Sequence, residues 1–235
     1  MTPQQLMERL KQAIPTGLRS VVLYGSAAAG DFLEGVSDYN VLVVIDRLGL
    51  EELKALIAPI ATWTRDGNAP PLLITPAELS ASADAFPIEV FDMRQSHQVL
   101  FGSDPLSDLI IDDEHLRLQL ERELKGKLLA LRQRFVQTQG RPRAITELMT
   151  ASLSTFLVLF RAALRLFQVD VPVRKLDAMT ALAKHISFDP QAFVAVQELK
   201  EKRSRDVNTD GVFANYLANI ARVVEAVDRH IHPQR

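Results

Sequence analysis

The spacing of apolar positions changes twice along the chain. Leu6, Leu10 and Ile14 recur at near-helical intervals, which predicts a helix over 3–13 that ends at Pro15-Thr16-Gly17. Val21-Val22-Leu23 is a continuous apolar run and predicts a buried strand over 19–24, closed by Gly25-Ser26. Three alanines then lead into a short helical turn. Val41-Leu42-Val43-Val44-Ile45 centres a second strand over 40–46, and Leu53, Leu56, Ile57 and Ile60 set a helix over 50–62. Leu72-Leu73-Ile74 reads as a short strand between prolines. A turn-rich stretch over 80–87 precedes a further strand over 88–93.

Beyond about residue 112 the pattern becomes purely helical. Leu116, Leu120, Leu124, Leu128, Leu131 and Phe135 form one stripe, broken at Gly140-Arg141-Pro142. A helix over 144–168 is apolar on more than one face, which places it centrally, and shorter helices follow over 173–186, 190–203 and 211–231. The chain therefore divides into a mixed domain over 1–108 and a helical domain over 109–235.

Composition narrows the chemistry. With 47% hydrophobic and 24% charged residues, the 235-residue chain has the make-up of a soluble globular protein. Its formal net charge of -2 gives no bulk attraction to long nucleic acid or to anionic membrane. The absence of cysteine removes disulfides, thiolate zinc sites and cysteine nucleophiles, in keeping with a cytoplasmic location. The amphipathic start is interrupted by charge, and no run approaches the roughly 18 apolar residues of a membrane span.

One segment carries specific chemistry: the run 21–26 ending in Gly25-Ser26, eleven residues, then Asp38-Tyr39-Asn40 opening the next strand. This resembles the signature of the DNA polymerase β-like nucleotidyltransferases. The resemblance implies an α+β fold, with a small mixed β-sheet and flanking helices followed by an all-α bundle. A glycine without Cβ lets backbone approach a phosphate, and a serine hydroxyl can donate to it. Carboxylates at i and i+2 of a strand share a face, where they hold magnesium against a triphosphate. Pro87-Ile88-Glu89-Val90 resembles a strand of the aminoglycoside adenylyltransferases whose glutamate is a general base or metal ligand, which assigns that role to Glu89. Asp92 is the weaker candidate, because i and i+3 on one strand face opposite sides. The stretch 86–106 with the charged helix after it also looks like uncharacterised bacterial nucleotidyltransferase-domain proteins with helical tails.

The departure is Asn40, which stands where the signature has a second aspartate. A neutral amide can ligate magnesium but adds no charge and cannot act as a base. Three readings stay open: a weakened enzyme, a nucleotide sensor without turnover, and a vestigial site. The leading expectation is transfer of a nucleoside monophosphate from an NTP to a hydroxyl of a small molecule or protein. Gly25 and Ser26 would hold phosphate, and Asp38, Asn40 and Glu89 would hold Mg²⁺ or Mn²⁺. The alternative is a degenerate nucleotide-sensing or partner-binding module. Asp31, Glu34 and Asp46 read as acids outside the site. Two basic groups in the helical region, Lys125, Lys127, Arg132 and Arg134, and Lys200, Lys202, Arg203 and Arg205, are candidates to face phosphate or acceptor, against the commoner fate of a solvated, acid-paired face. The five histidines, His97, His115, His185, His230 and His232, show no metal-binding spacing. Phe156, Phe160, Phe167 and Trp63 read as core.

Overall fold

A computed structural model describes residues 1–30, 38–201 and 208–230. Asp31, Glu34, Lys202, Arg203, Arg205 and His232 lie outside the described residues. The chain forms two compact units, Met1–Asp112 and Asp113–Arg235.

The first unit runs α1 (Pro3–Ala13), β1 (Leu18–Tyr24), α2 (Ser26–Ala29), β2 (Asn40–Ile45), α3 (Leu50–Arg65), β3 (Leu72–Ile74), α4 (Pro76–Ala85), α5 (Pro87–Gln95) and β4 (His97–Gly102). The strands make one sheet in the order β3-β2-β1-β4, with β1 antiparallel to both neighbours and β2 parallel to β3. α1 starts where its sequence says it should. Thr2 and Gln5 exchange side-chain to backbone hydrogen bonds in a capping box, and Pro3 occupies the first turn, where its missing N–H costs nothing.

Alternation along the strands sorts the sheet into two faces. Val21, Leu23, Val41, Val43 and Ile45 join Leu6, Leu10 and Ile14 of the N-terminal region and Leu56 and Trp63 of α3 in one buried cluster. Trp63 is fully buried, with its indole N–H donating to the Ala69 carbonyl at 2.7 Å. A buried indole needs such an acceptor, so its core placement is complete. The even-numbered positions Tyr24 and Asn40 face the other way.

Two segments differ from their sequence pattern. The stretch 88–93 is not a strand: Pro87 opens helix α5 at its first turn, and Ile88, Val90, Phe91 and Met93 are all buried. The alternation Ile88-Glu89-Val90 mimics a strand, but Ile88/Phe91 and Val90/Met93 are i, i+3 pairs on a helix; short apolar runs do not separate the two periods. The turn-rich stretch before it is helix α4, headed by a Thr75–Glu78 capping box that is legible in the sequence as T-x-x-E. The strand that completes the sheet is β4, one segment later.

The second unit comprises α6 (Asp113–Gln137), α7 (Pro142–Leu166), α8 (Lys175–His185), α9 (Gln191–Lys200) and α10 (Thr209–Asp228). α7 is central and packs against the other four, as its many-faced apolarity implies. By length and composition α7 also matches a membrane span, but 56% of its most apolar window is buried, as in a core helix of a folded bundle. Phe156, Phe160, Phe193 and Tyr216 form an aromatic core in which Phe160 and Phe193 meet edge to face at 5.1 Å. Arg161 is fully buried on the same helix.

Candidate functional site

The end of β1 brings the motif residues together. Tyr24 pairs with Asn40 on one side and with His97 on the other, so three polar side chains line up across three strands. Immediately after Tyr24 the chain turns at Gly25, with φ 78 and ψ -145. L-residues rarely adopt this conformation. A Cβ at Gly25 would also lie 3.1 Å from the Asn40 amide nitrogen, so glycine is what lets the two segments touch. The Gly25 carbonyl accepts from the Ala28 and Ala29 N–H groups, which starts α2 at Ser26.

Tyr39 packs its ring against Trp63 with centroids 6.0 Å apart, which anchors the start of β2 to the buried cluster. Asn40, one residue on, is partly buried on the opposite face, beside the Gly25 turn. Asp38 lies just ahead of β2 and is exposed. Gly25, Ser26 and Asn40 thus meet at one end of the sheet, with Asp38 two residues upstream.

Glu89 is placed differently from its expected strand. It sits exposed in the first turn of α5, where its negative charge complements the helix dipole. The strand beside β2 is β3, whose Leu72, Leu73 and Ile74 pair with Leu42, Val43 and Val44. The strand expected over 88–93 is therefore corrected: this segment is helix α5, and Glu89 belongs to no strand of the sheet. Among the described residues no three His, Cys, Asp or Glu side chains gather closely enough to hold a metal ion. An oxygen donor set of Asp38 and Asn40 still suits a hard divalent cation that keeps several waters.

Two further acids, Asp92 and Asp104, lie near this end of the sheet. Burial pushes the Tyr24 phenol above its usual range, and the negative charge of Asp92 pushes it the same way. On a helix Asp92 and Glu89 are i, i+3 neighbours, so the argument from strand faces does not apply. Asp104 accepts from the Leu106 N–H at 2.9 Å, and its other oxygen lies 3.0 Å from Nε2 of His97. Burial works against the Asp104 anion, but these two partners win and hold its carboxyl below the usual range. The signal for this pair was available as His97 opening, and Asp104 following, the apolar run Val99-Leu100-Phe101.

In the helical unit Lys125 and Lys127 of α6 are paired with acids. Lys125 donates to Glu121 at 2.8 Å and to Asp228 at 2.6 Å, and Lys127 lies 3.6 Å from Glu123. Lys200 donates to the Ser154 hydroxyl at 2.8 Å; burial, then the charge of Lys175, lowers its pKa from the ordinary lysine value. Asp46 accepts from Arg19 at the far end of β2, away from the Gly25 turn.

No known family profile matches the chain, and no curated protein matches it. Among solved structures it is similar to spectinomycin adenyltransferase AAD(9) from Enterococcus faecialis, solved with ATP and spectinomycin. The TM-score is 0.53 at 15% identity, over 93% of this chain and 98% of that one. The chain therefore shares the fold of that adenyltransferase, with the small mixed sheet and helical region that its motif implied.

Proposed function

We propose that the protein binds a nucleoside triphosphate at the Gly25-Ser26 turn and transfers its nucleoside monophosphate, slowly, to a hydroxyl of a small molecule or protein. The observation that carries this reading is the close approach of the Asn40 side chain to Gly25, beside the Tyr24–Asn40 pair of β1 and β2, which brings the Gly25-Ser26 turn to the polar start of β2. Asp38 and the Asn40 carbonyl would hold Mg²⁺ or Mn²⁺, which would neutralise charge on the phosphates. Ser26 would donate to a phosphate oxygen. The likeness to an adenyltransferase solved with ATP and a small-molecule acceptor supports nucleotide and acceptor of that class. Transfer would be slow because the site has one anionic ligand in place of the usual set.

A second reading, nucleotide binding without turnover, is favoured by one observation: Asn40 fills the position where the signature has its second aspartate. One experiment separates the two. Melting temperatures are measured with ATP, CTP, GTP or UTP, with and without Mg²⁺ or Mn²⁺, on wild type and Asp38→Ala, and pyrophosphate release is followed in parallel. A ligand at about a hundred times its dissociation constant adds about 2.7 kcal/mol to stability. A metal-dependent shift that Asp38→Ala abolishes, with pyrophosphate released in the presence of hydroxyl acceptors, supports transfer. The same shift without pyrophosphate supports the sensor. No shift with any nucleotide removes both.

A further inference from the structure

The hydrogen bonds around His97 carry an inference beyond the phosphate turn itself, and it deepens the nucleotide-binding reading. The Gly25 N–H donates to the Ser96 carbonyl at 2.9 Å, so the backbone of the turn is hung from the last turn of α5. The imidazole of His97, the next residue, is held at both nitrogens. Nδ1 is 3.1 Å from the Arg94 carbonyl, and Nε2 is 3.0 Å from the Asp104 carboxylate. Both partners are acceptors. A neutral imidazole has one N–H and can satisfy only one of them, whereas an imidazolium donates to both.

We infer that His97 and Asp104 are a positioning pair, whose doubly donating imidazolium fixes the α5–β4 corner and through Ser96 sets the Gly25-Ser26 turn. Other charged or titratable groups around the ring are few. Tyr24 faces it from β1, with Asp92 of α5 close to that phenol. Arg94 sends its guanidinium away to the Leu109 carbonyl. Lys11 of α1 lies over the Phe101 ring, farther along β4. α2 offers only serine and alanine side chains. Asp104 is the carboxylate that meets the ring, 3.0 Å from Nε2. When the ring loses a proton one of its two bonds goes, the corner loosens, and the turn loses its fixed carbonyl.

The test uses the full chain, ¹⁵N-labelled, with ATP and Mg²⁺ as the probe. Without nucleotide, the Gly25 amide resonance should move in step with the His97 ring nitrogens as pH is raised. ATP affinity should fall about tenfold in parallel with that change, the scale of one lost charge-assisted hydrogen bond. In Asp104→Asn the amide oxygen keeps the Leu106 N–H and the NH2 faces the ring, where it donates to Nε2 of a neutral imidazole whose Nδ1–H still reaches the Arg94 carbonyl. Both pH dependences should vanish while the variant still melts cooperatively. A Gly25 amide that ignores the His97 titration overturns the inference, as does a pH profile in Asp104→Asn identical to wild type. If Gly25 follows His97 but ATP binds at no pH, the positioning pair stands and the nucleotide reading falls.

Discussion

Glycines on the first unit have unequal jobs, and substitution separates them. A Cβ at Gly102 would lie 1.8 Å from the Arg19 carbonyl oxygen, with φ at 79. Gly102→Ala must push β4 off β1 and is expected to cost about 3 kcal/mol or more in urea unfolding. Gly30→Ala meets nothing within 4 Å at a similar φ of 77, and only the backbone penalty of about 1–2 kcal/mol is expected. Asn40→Asp restores a charge beside Gly25. Isothermal titration should show Mg²⁺ bound about tenfold more tightly, or about 1.4 kcal/mol. Unchanged affinity would show that position 40 is not a ligand. Asp104 titrates lower folded than unfolded, so its contribution is present above the ordinary carboxylate range and lost as pH falls through the folded value. Acid unfolding of Asp104→Asn should accordingly begin from a lower plateau and lack that part of the acid slope.

At the scale of elements, the sequence announced most of what positions the site. The apolar runs of β1 and β2, the turn glycine between β1 and α2, and the leucine stripe of α6 are strong periodic signals. Ile88-Glu89-Val90 was illegible because a nine-residue helix buried on several faces has no clean 3.6-residue period, and alternation then imitates a strand. The cost fell on the site: Glu89 was assigned by a strand that does not exist, while Asp92 was set aside by a rule for strands. The His97–Asp104 pair was missed for a different reason, since it is made by a corner and not by a period. α4 was read as a turn-rich stretch although Thr75-x-x-Glu78 marks its start, where Glu78 accepts from both the N–H and the hydroxyl of Thr75. Thr75→Ala removes the side-chain half of that cap and should lower stability by about 1 kcal/mol, read from the denaturation midpoint.

For the molecule as a whole, each unit holds its own buried set: the cluster around Trp63 in the first, and the Phe156–Phe160–Phe193–Tyr216 group in the second. Fragments 1–112 and 113–235 should therefore each show a cooperative melt by circular dichroism. A fragment that melts without a transition would show that its core is incomplete alone. The weak net charge and the absence of cysteine both belong to this scale and leave the nature of the acceptor open to experiment. The packing of Tyr39 on Trp63 has an optical consequence. Trp63 is the single tryptophan of the chain, and Tyr39 sits between Asp38 and Asn40. The single tryptophan thus touches the residue that links Asp38 to Asn40 at the start of β2. Tryptophan emission, with energy transfer from the tyrosine beside it, becomes a label-free report on how that strand end responds to metal and nucleotide.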